Sequence, residues 1–276
     1  MISNDSAPDP SDSSSSPLDP SSTHLDLSTD ARPRYAEEGF LCIRNFIHGD
    51  ELEELRANIQ RFLDEVLPTL PNDHVFYEDK SNVRSLKQIQ HLEDHDPWFH
   101  RAFTAGVFRT LAEFLLQEKV TPKNLQYFNK PPGLGAATPP HQDGYYFMLA
   151  PCKALTMWLA LDHVDEENGC VRYVRGSHRS GMRSHSRTTT LGFSQGIADY
   201  PSSGDLDKEV TAPASPGDLL VHDAMTIHRA DANVSTTRHR RAIGLIYYAA
   251  SAKEDAARHQ AYQQQLASEM KKVGKL

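Results

Sequence analysis

The segment Pro139-Pro140-His141-Gln142-Asp143-Gly144-Tyr145-Tyr146 puts an imidazole and a carboxylate two residues apart. On an extended strand, residues i and i+2 point to one face, so His141 and Asp143 can reach one metal ion together. That pair alone is a frequent chance occurrence, and a metal site needs a further ligand from elsewhere in the chain. His228, in Thr226-Ile227-His228-Arg229-Ala230-Asp231, lies a short link beyond the strand-like run Asp218–His222. Two histidines and one carboxylate occupy three positions of an octahedral metal and leave three open, which suits non-heme Fe(II) oxygenases. The same three side chains also suit zinc. Arg240-Arg241 opens the run Arg240–Ala249, twelve and thirteen residues after His228. A bidentate guanidinium beside an open Fe(II) is what a dicarboxylate cosubstrate needs at its far end.

A longer pattern surrounds these residues. Pro140-His141-Gln142-Asp143 is followed by Trp158-Leu159-Ala160-Leu161-Asp162, Glu167-Asn168-Gly169-Cys170 and Gly176-Ser177-His178. His228 with Asn233 and Ser235, then Arg240-Arg241-Ala242, closes it. In order and spacing, over about residues 35–250, the chain resembles the phytanoyl-CoA dioxygenase (PhyH)-like branch of the Fe(II)/2-oxoglutarate dioxygenases. The resemblance implies a double-stranded β-helix with Fe(II) held by His141, Asp143 and His228. It implies 2-oxoglutarate bound to the iron through its 2-oxo acid end, with the distal carboxylate on an Arg of the strand after His228. It also implies a small-molecule substrate, O2 as co-reactant, hydroxylation of an unactivated C–H bond, and release of succinate and CO2.

The family's Arg aligns by spacing on His239, whereas its Arg-Arg-Ala or Arg-Lys-Ala ending aligns on Arg240-Arg241-Ala242. One extra residue within Ser235–Arg238 reconciles the two and makes Arg240 the counterpart. Strand phase agrees, because Arg240 shares a face with the small residues Ala242 and Gly244, which leave room for a cosubstrate. Arg241 shares its face with Ile243, Leu245 and Tyr247, a face that packs against helices. By motif position Trp158 lines the cosubstrate pocket, with Gln126 and Lys87 as further neighbours. Related halogenases replace the metal-bound carboxylate with a small residue, so Asp143 points to hydroxylation. Desaturation, epimerisation or phosphonate and natural-product oxidation with the same cofactors is the alternative, and a non-catalytic jelly-roll binding protein is a weaker one.

The elements that must position these residues fall into two textures. Leu52, Leu55, Ile59, Phe62, Leu63 and Val66 recur at helical spacing after Asp50, which reads as the cap. Two helices follow, over Asp96–Ala105 and Val107–Gln117. From Leu125 onward, short β-like runs alternate with Pro, Gly and Asn turns: Leu125–Asn129, Tyr145–Leu149, Leu155–His163, Cys170–Arg175, Asp218–His222 and Arg240–Ala249. Ser251–Leu276 reads as a polar helix, and Arg183–Lys208 as a long loop. The fold class is α+β, with a jelly-roll-like core flanked by N-terminal helices and a C-terminal helix.

Among the fourteen histidines, His91, His95, His100, His185 and His239 read as surface residues. His163 and His222, at strand ends, read as structural, and His178 as a loop tie. Arg172, Arg175, Arg179, Arg183 and Arg187 form a basic cluster that reads as a solvated face or a greeting surface for an anionic substrate. Residues 1–30 hold ten Ser, six Asp and four Pro with no Lys or Arg, and read as a disordered tail. Residues 31–276 read as one domain, with 29 basic and 31 acidic side chains. That balance argues against nucleic acid as a partner. No run of eighteen apolar residues spans a membrane. Three cysteines without a CxxC pair exclude a disulfide framework and a zinc ribbon. A cytoplasmic enzyme is the expectation, and composition leaves its oligomeric state open.

Overall fold

The computed structural model describes residues 30–188, 195–202 and 204–257, with 260, 261 and 264 beyond them. Its strands, in chain order, are β1 (Phe40–Ile43), β2 (Val75–Tyr77), β3 (Leu86–Ile89), β4 (Val120–Lys130), β5 (Thr138–His141), β6 (Leu149–Ala150), β7 (Ala154–Ala160), β8 (Val171–Val174), β9 (His185–Arg187), β10 (Gln195–Ile197), β11 (Glu209–Ala212), β12 (Leu219–Asp223), β13 (His228–Ala230), β14 (Arg240–Ala249) and β15 (Lys253–Glu254). Its helices are α1 (Ala31–Glu38), α2 (Gly49–Arg61), α3 (Leu92–His95), α4 (Pro97–Ala105), α5 (Val107–Leu116), α6 (Gly144–Phe147) and α7 (Asp205–Lys208).

A seven-stranded sheet runs β1-β12-β7-β14-β4-β3-β2, and a four-stranded sheet runs β11-β8-β13-β5. All of these pairings are antiparallel. Trp158, Ala160, Leu220 and Ala242 from the large sheet pack with Val171, Tyr173 and Ala212 from the small one. Phe40 stacks on Tyr173 across the gap, ring centroids 4.5 Å apart. The two sheets therefore close over one interior, the jelly-roll arrangement expected.

The outer face of the large sheet carries the helices. Leu155, Met157 and Leu159 of β7, Leu219 and Val221 of β12, and Ile243, Leu245 and Tyr247 of β14 join one core with residues of α2, α4 and α5. Strands buried on both faces read as continuous apolar runs, which is why β7 and β14 show no polar alternation. The α4 start is set by Asp96, whose Oδ1 accepts from the amides of Trp98 at 2.9 Å and Phe99 at 3.2 Å, with Pro97 in the first turn.

Four local expectations change. Asp50 lies inside the first turn of α2 and makes no cap; the helix begins at Gly49, and the carboxylate meets the positive end of the helix dipole instead. The aromatic run Tyr145–Leu149 does not form one strand; only its last residue, Leu149, enters β6. Asp143 adopts the right-handed helical conformation, and the amides of Tyr146 and Phe147 donate back to its carbonyl, which winds α6. Within Arg183–Lys208, β9 pairs with β10 and α7 follows, with residues 189–194 and 203 outside the described residues. Lys253–Glu254 pairs with β6 rather than opening a helix. Most of the remaining C-terminal helix expected to residue 276, and residues 1–29 of the acidic tail, lie outside the described residues.

Gly217 leads into β12 with φ +86°, and a Cβ there would sit 1.9 Å from the Ile47 carbonyl oxygen. Gly217→Ala is expected to cost about 2 kcal/mol or more, from left-handed strain plus this backbone clash. Urea denaturation reads it as a lower midpoint, and an unchanged midpoint would contradict the tight turn described.

Candidate metal centre

His141 closes β5 and His228 opens β13, directly opposite it in the ladder. Their rings lie 4.1 Å apart. Each ring is oriented by its own backbone. Nδ1 of His141 donates to the Pro139 carbonyl at 2.8 Å, and Nδ1 of His228 to the Thr226 carbonyl at 3.0 Å. A carbonyl only accepts, so Nδ1 of each ring carries a proton and Nε2 is the nitrogen turned to the site. Asp143 brings Oδ1 to 3.4 Å from Nε2 of His141 and 3.7 Å from Nε2 of His228. The three ligand atoms fall within 4.8 Å of one another, a spacing that one metal ion can bridge.

The convergence does not come from strand periodicity, because Asp143 already belongs to the helical turn after β5. Gln142 makes the bend. Its fully buried side chain donates to the carbonyls of Gly181 at 3.0 Å and Met225 at 2.7 Å, and accepts from the Arg183 amide at 2.8 Å. Its own amide donates to Nε2 of His185 at 3.1 Å. His185 is thus half-buried, stacked on Tyr145 at 4.2 Å, and not the surface residue expected.

The second oxygen of Asp143 is held from the large sheet. The Thr156 hydroxyl donates to Oδ2 at 2.6 Å, and His222 Nε2 stands 3.1 Å from it. His222 in turn meets the Tyr173 hydroxyl at 3.1 Å. Burial alone would push the Asp143 carboxyl up, but His228, His141 and His222 hold it well below the usual carboxylate range. Burial, with His141 and His222 alongside, pushes the His228 pKa well below its usual value, against the opposing pull of Asp143. An ionised carboxylate with neutral imidazoles is the protonation state that a divalent cation requires. Spacing gave no sign of His222's role. The available signal was phase, since His222 shares the inner face of β12 with Leu220.

Arg240 is buried on the inner face of β14, its guanidinium 5.2 Å from the centre of the Trp158 ring. Its Nε has no hydrogen-bond partner. Burial lowers its pKa to about 10, so it remains a cation at neutral pH. A buried, unpaired charge is costly, and an anion bound beside it removes the cost. Arg241 points the other way and forms a forked pair with Asp162, at 2.7 Å from NH2 to Oδ1. The strand phase read from sequence therefore holds. The space beside Gly244 is not open, however; a Cβ there would lie 2.5 Å from the Phe128 ring, which fills it.

Gln126 faces Gly244 across the ladder and accepts from Gln88 at 2.6 Å. Lys87 is buried 3.1 Å from Glu78. Lys130, opposite Arg240 in register, is a further buried cation that sequence reasoning missed. It donates to the Asp231 carbonyl at 2.5 Å, and burial with Arg240 and Lys87 nearby lowers its pKa. The basic cluster is largely neutralised: Arg172 meets Glu166 and Asp231, Arg175 meets Glu38, and Arg183 meets Asp199 and Asp205.

The donor set and the unpaired interior cation fit a divalent metal and a dicarboxylate. The family model of phytanoyl-CoA dioxygenase (PhyH) matches residues 35–242. The chain belongs to this family. As a member it is an enzyme, a non-heme iron, 2-oxoglutarate-dependent dioxygenase that uses O2 on a small molecule. The peroxisomal phytanoyl-CoA dioxygenase of Mus musculus is 26% identical over 233 residues, covering 79% of this chain and 67% of the mouse protein. The epimerase SnoN, solved with Fe3+, alpha ketoglutarate and nogalamycin RO, shares the fold at a TM-score of 0.65 and 24% identity, covering 81% of this chain and 84% of SnoN. EctD from S. alaskensis, solved with 2-oxoglutarate and 5-hydroxyectoine, does so at 0.68 and 21%, covering 83% of this chain and 78% of EctD. Among the described residues, no helix is long and apolar enough to cross a membrane.

Thr156→Val keeps the shape of the side chain and removes the hydroxyl that holds Asp143 Oδ2. A lost ligand-orienting hydrogen bond weakens metal affinity about 10–100-fold. Anaerobic Fe(II) or Co(II) titration checks this, and an affinity equal to wild type would separate Thr156 from the metal centre.

Proposed function

We propose that His141, Asp143 and His228 hold Fe(II), and that the enzyme hydroxylates an unactivated C–H bond of a small molecule while converting 2-oxoglutarate to succinate and CO2. The observation that carries this reading is the alignment along β7. Thr156 holds Asp143, and Trp158, two residues further on the same face, lies against Arg240. Two strand residues span about 7 Å, an interval that a five-carbon dicarboxylate can bridge. In this reading Arg240 binds the distal carboxylate, Trp158 walls the pocket, and Gln126 and Lys87 stand on the neighbouring strands β4 and β3.

The bound iron and cosubstrate supply the oxidising chemistry; the protein supplies geometry and exclusion. Backbone carbonyls hold the two imidazoles in their ligating tautomer. Thr156 and His222 hold one carboxylate oxygen, so that the other faces the metal. Asp143 keeps a carboxylate where a halide would otherwise bind, which supports hydroxylation over halogenation. The catalytic unit is one domain over residues 31–276, and the free thiols Cys42, Cys152 and Cys170 fit a reducing, cytoplasmic setting.

Anaerobic Fe(II) with 2-oxoglutarate is expected to give a metal-to-ligand charge-transfer band that His141→Ala abolishes. Titrating that band, Arg240→Ala is expected to weaken 2-oxoglutarate about 10²–10³-fold, as for a buried charge pair losing one partner, while Arg241→Ala stays near wild type. The reverse order would invert the assignment of the two arginines. A succinate-release screen over candidate substrates then tests the reaction. A product that has gained one oxygen atom supports hydroxylation, whereas a product that has lost two hydrogens, or an isomer, replaces it with desaturation or epimerisation.

A further inference from the structure

We propose that His91, Glu93 and Asp94 form a second divalent-metal site, sharing no residue with the catalytic triad and suited to a borderline transition ion such as Zn2+ or Co2+. Nδ1 of His91 lies 3.7 Å from Oε1 of Glu93 and 3.7 Å from Oδ2 of Asp94. All three atoms fall within 4.8 Å of one another. Ligand atoms that are each about 2.0–2.2 Å from one zinc ion lie roughly 3–4 Å from one another, and both His91 separations fall in that interval. The triad of the candidate iron centre has nearly the same dimensions, 3.4 and 3.7 Å.

The ligands are held rather than merely near. The Glu93 side chain is only 9% exposed. Its Oε2 accepts from the Leu125 amide at 2.9 Å, which leaves Oε1 turned to His91. The His91 amide donates to Asn124 Oδ1 at 3.1 Å. Its backbone is left-handed, with φ 60°, a conformation uncommon outside glycine, and the ring is thereby brought over the first turn of α3. Two more imidazoles stand beside it. His74 lies 5.0 Å from the His91 ring, and its Nδ1 is 3.0 Å from Nε2 of His95. The neighbourhood therefore offers nitrogen and oxygen donors together, the mixture that borderline ions select.

The site lies where it can stiffen the cosubstrate side of the molecule. The Gln90 amide donates to the His74 carbonyl at 2.9 Å, closing the β2–β3 hairpin beside His91. An ion on His91 and Glu93 ties that hairpin, which carries Lys87 and Gln88, to β4.

Metal stoichiometry of the full-length protein is the test. Co(II) titration of the metal-free protein, followed by absorption and calorimetry, is expected to show two ions bound. His141→Ala is expected to lose one of them, and His91→Asn with Glu93→Gln the other; asparagine is chosen because it tolerates the left-handed backbone. Thermal melts establish that each variant folds. One ion in the wild type, or a second ion that survives His91→Asn with Glu93→Gln at unchanged affinity, overturns the site. Should that double variant not fold, Asp94→Asn, on a side chain 64% exposed, is expected to weaken the second ion at least tenfold, and no change there overturns it equally. Loss or retention of the His141-dependent ion bears on the catalytic reading alone.

Discussion

A carboxylate buried among imidazoles is the constraint around which this protein is organised. Asp143 follows β5 of the small sheet, yet Thr156 and His222, which hold its second oxygen, belong to the large sheet. Tyr173, behind His222, returns to the small sheet. The two sheets thus meet on one negative charge as well as on apolar side chains. Removing either sheet's contribution would leave a charge without partners in a low-dielectric interior, the most expensive state a side chain can occupy. Site geometry and sheet packing are for this reason one problem here and not two.

The cationic end of the interior obeys the same logic with opposite sign. Arg240 and Lys130 face each other across β14 and β4, and both have depressed pKa values from burial. Lys130 settles its charge on backbone carbonyls, whereas Arg240 rests against an aromatic ring with one nitrogen unsatisfied. An interior that carries an anion at one end and a cation at the other is shaped for a guest with a metal-seeking head and an anionic tail.

Much of this was legible in the chain, though not always for the reason given. The His-x-Asp pair, the distant His228 and the alternation of β14 are local patterns, and local patterns survive folding. The convergence of His141 and Asp143 was anticipated, but strand periodicity was the wrong cause; a helical turn braced by Gln142 performs it. The aromatic run Tyr145–Leu149 carries strong strand propensity, and the bend at Asp143 overrides it. Gln142, Thr156, His185 and His222 were not legible as site residues, because a polar core residue declares its role only through partners far along the chain. His222 is 79 residues from Asp143, and no spacing rule reaches that distance.

The opposed fates of Arg240 and Arg241 bear on how this chain tolerates insertion. Side chains along β14 alternate between the helix-covered face and the interior, so shifting the strand by one residue would carry Asp162's partner into the pocket and move Arg240 out. The turn before β14 is different. Asn233 braces it by donating to the carbonyls of Lys130 and Arg238, while Ser235 accepts from the Arg238 amide. A residue added inside that braced turn lengthens the path without changing which face any β14 side chain presents. Length can therefore drift upstream of Arg240, while from Arg240 onward the chain is committed to a reading frame in space.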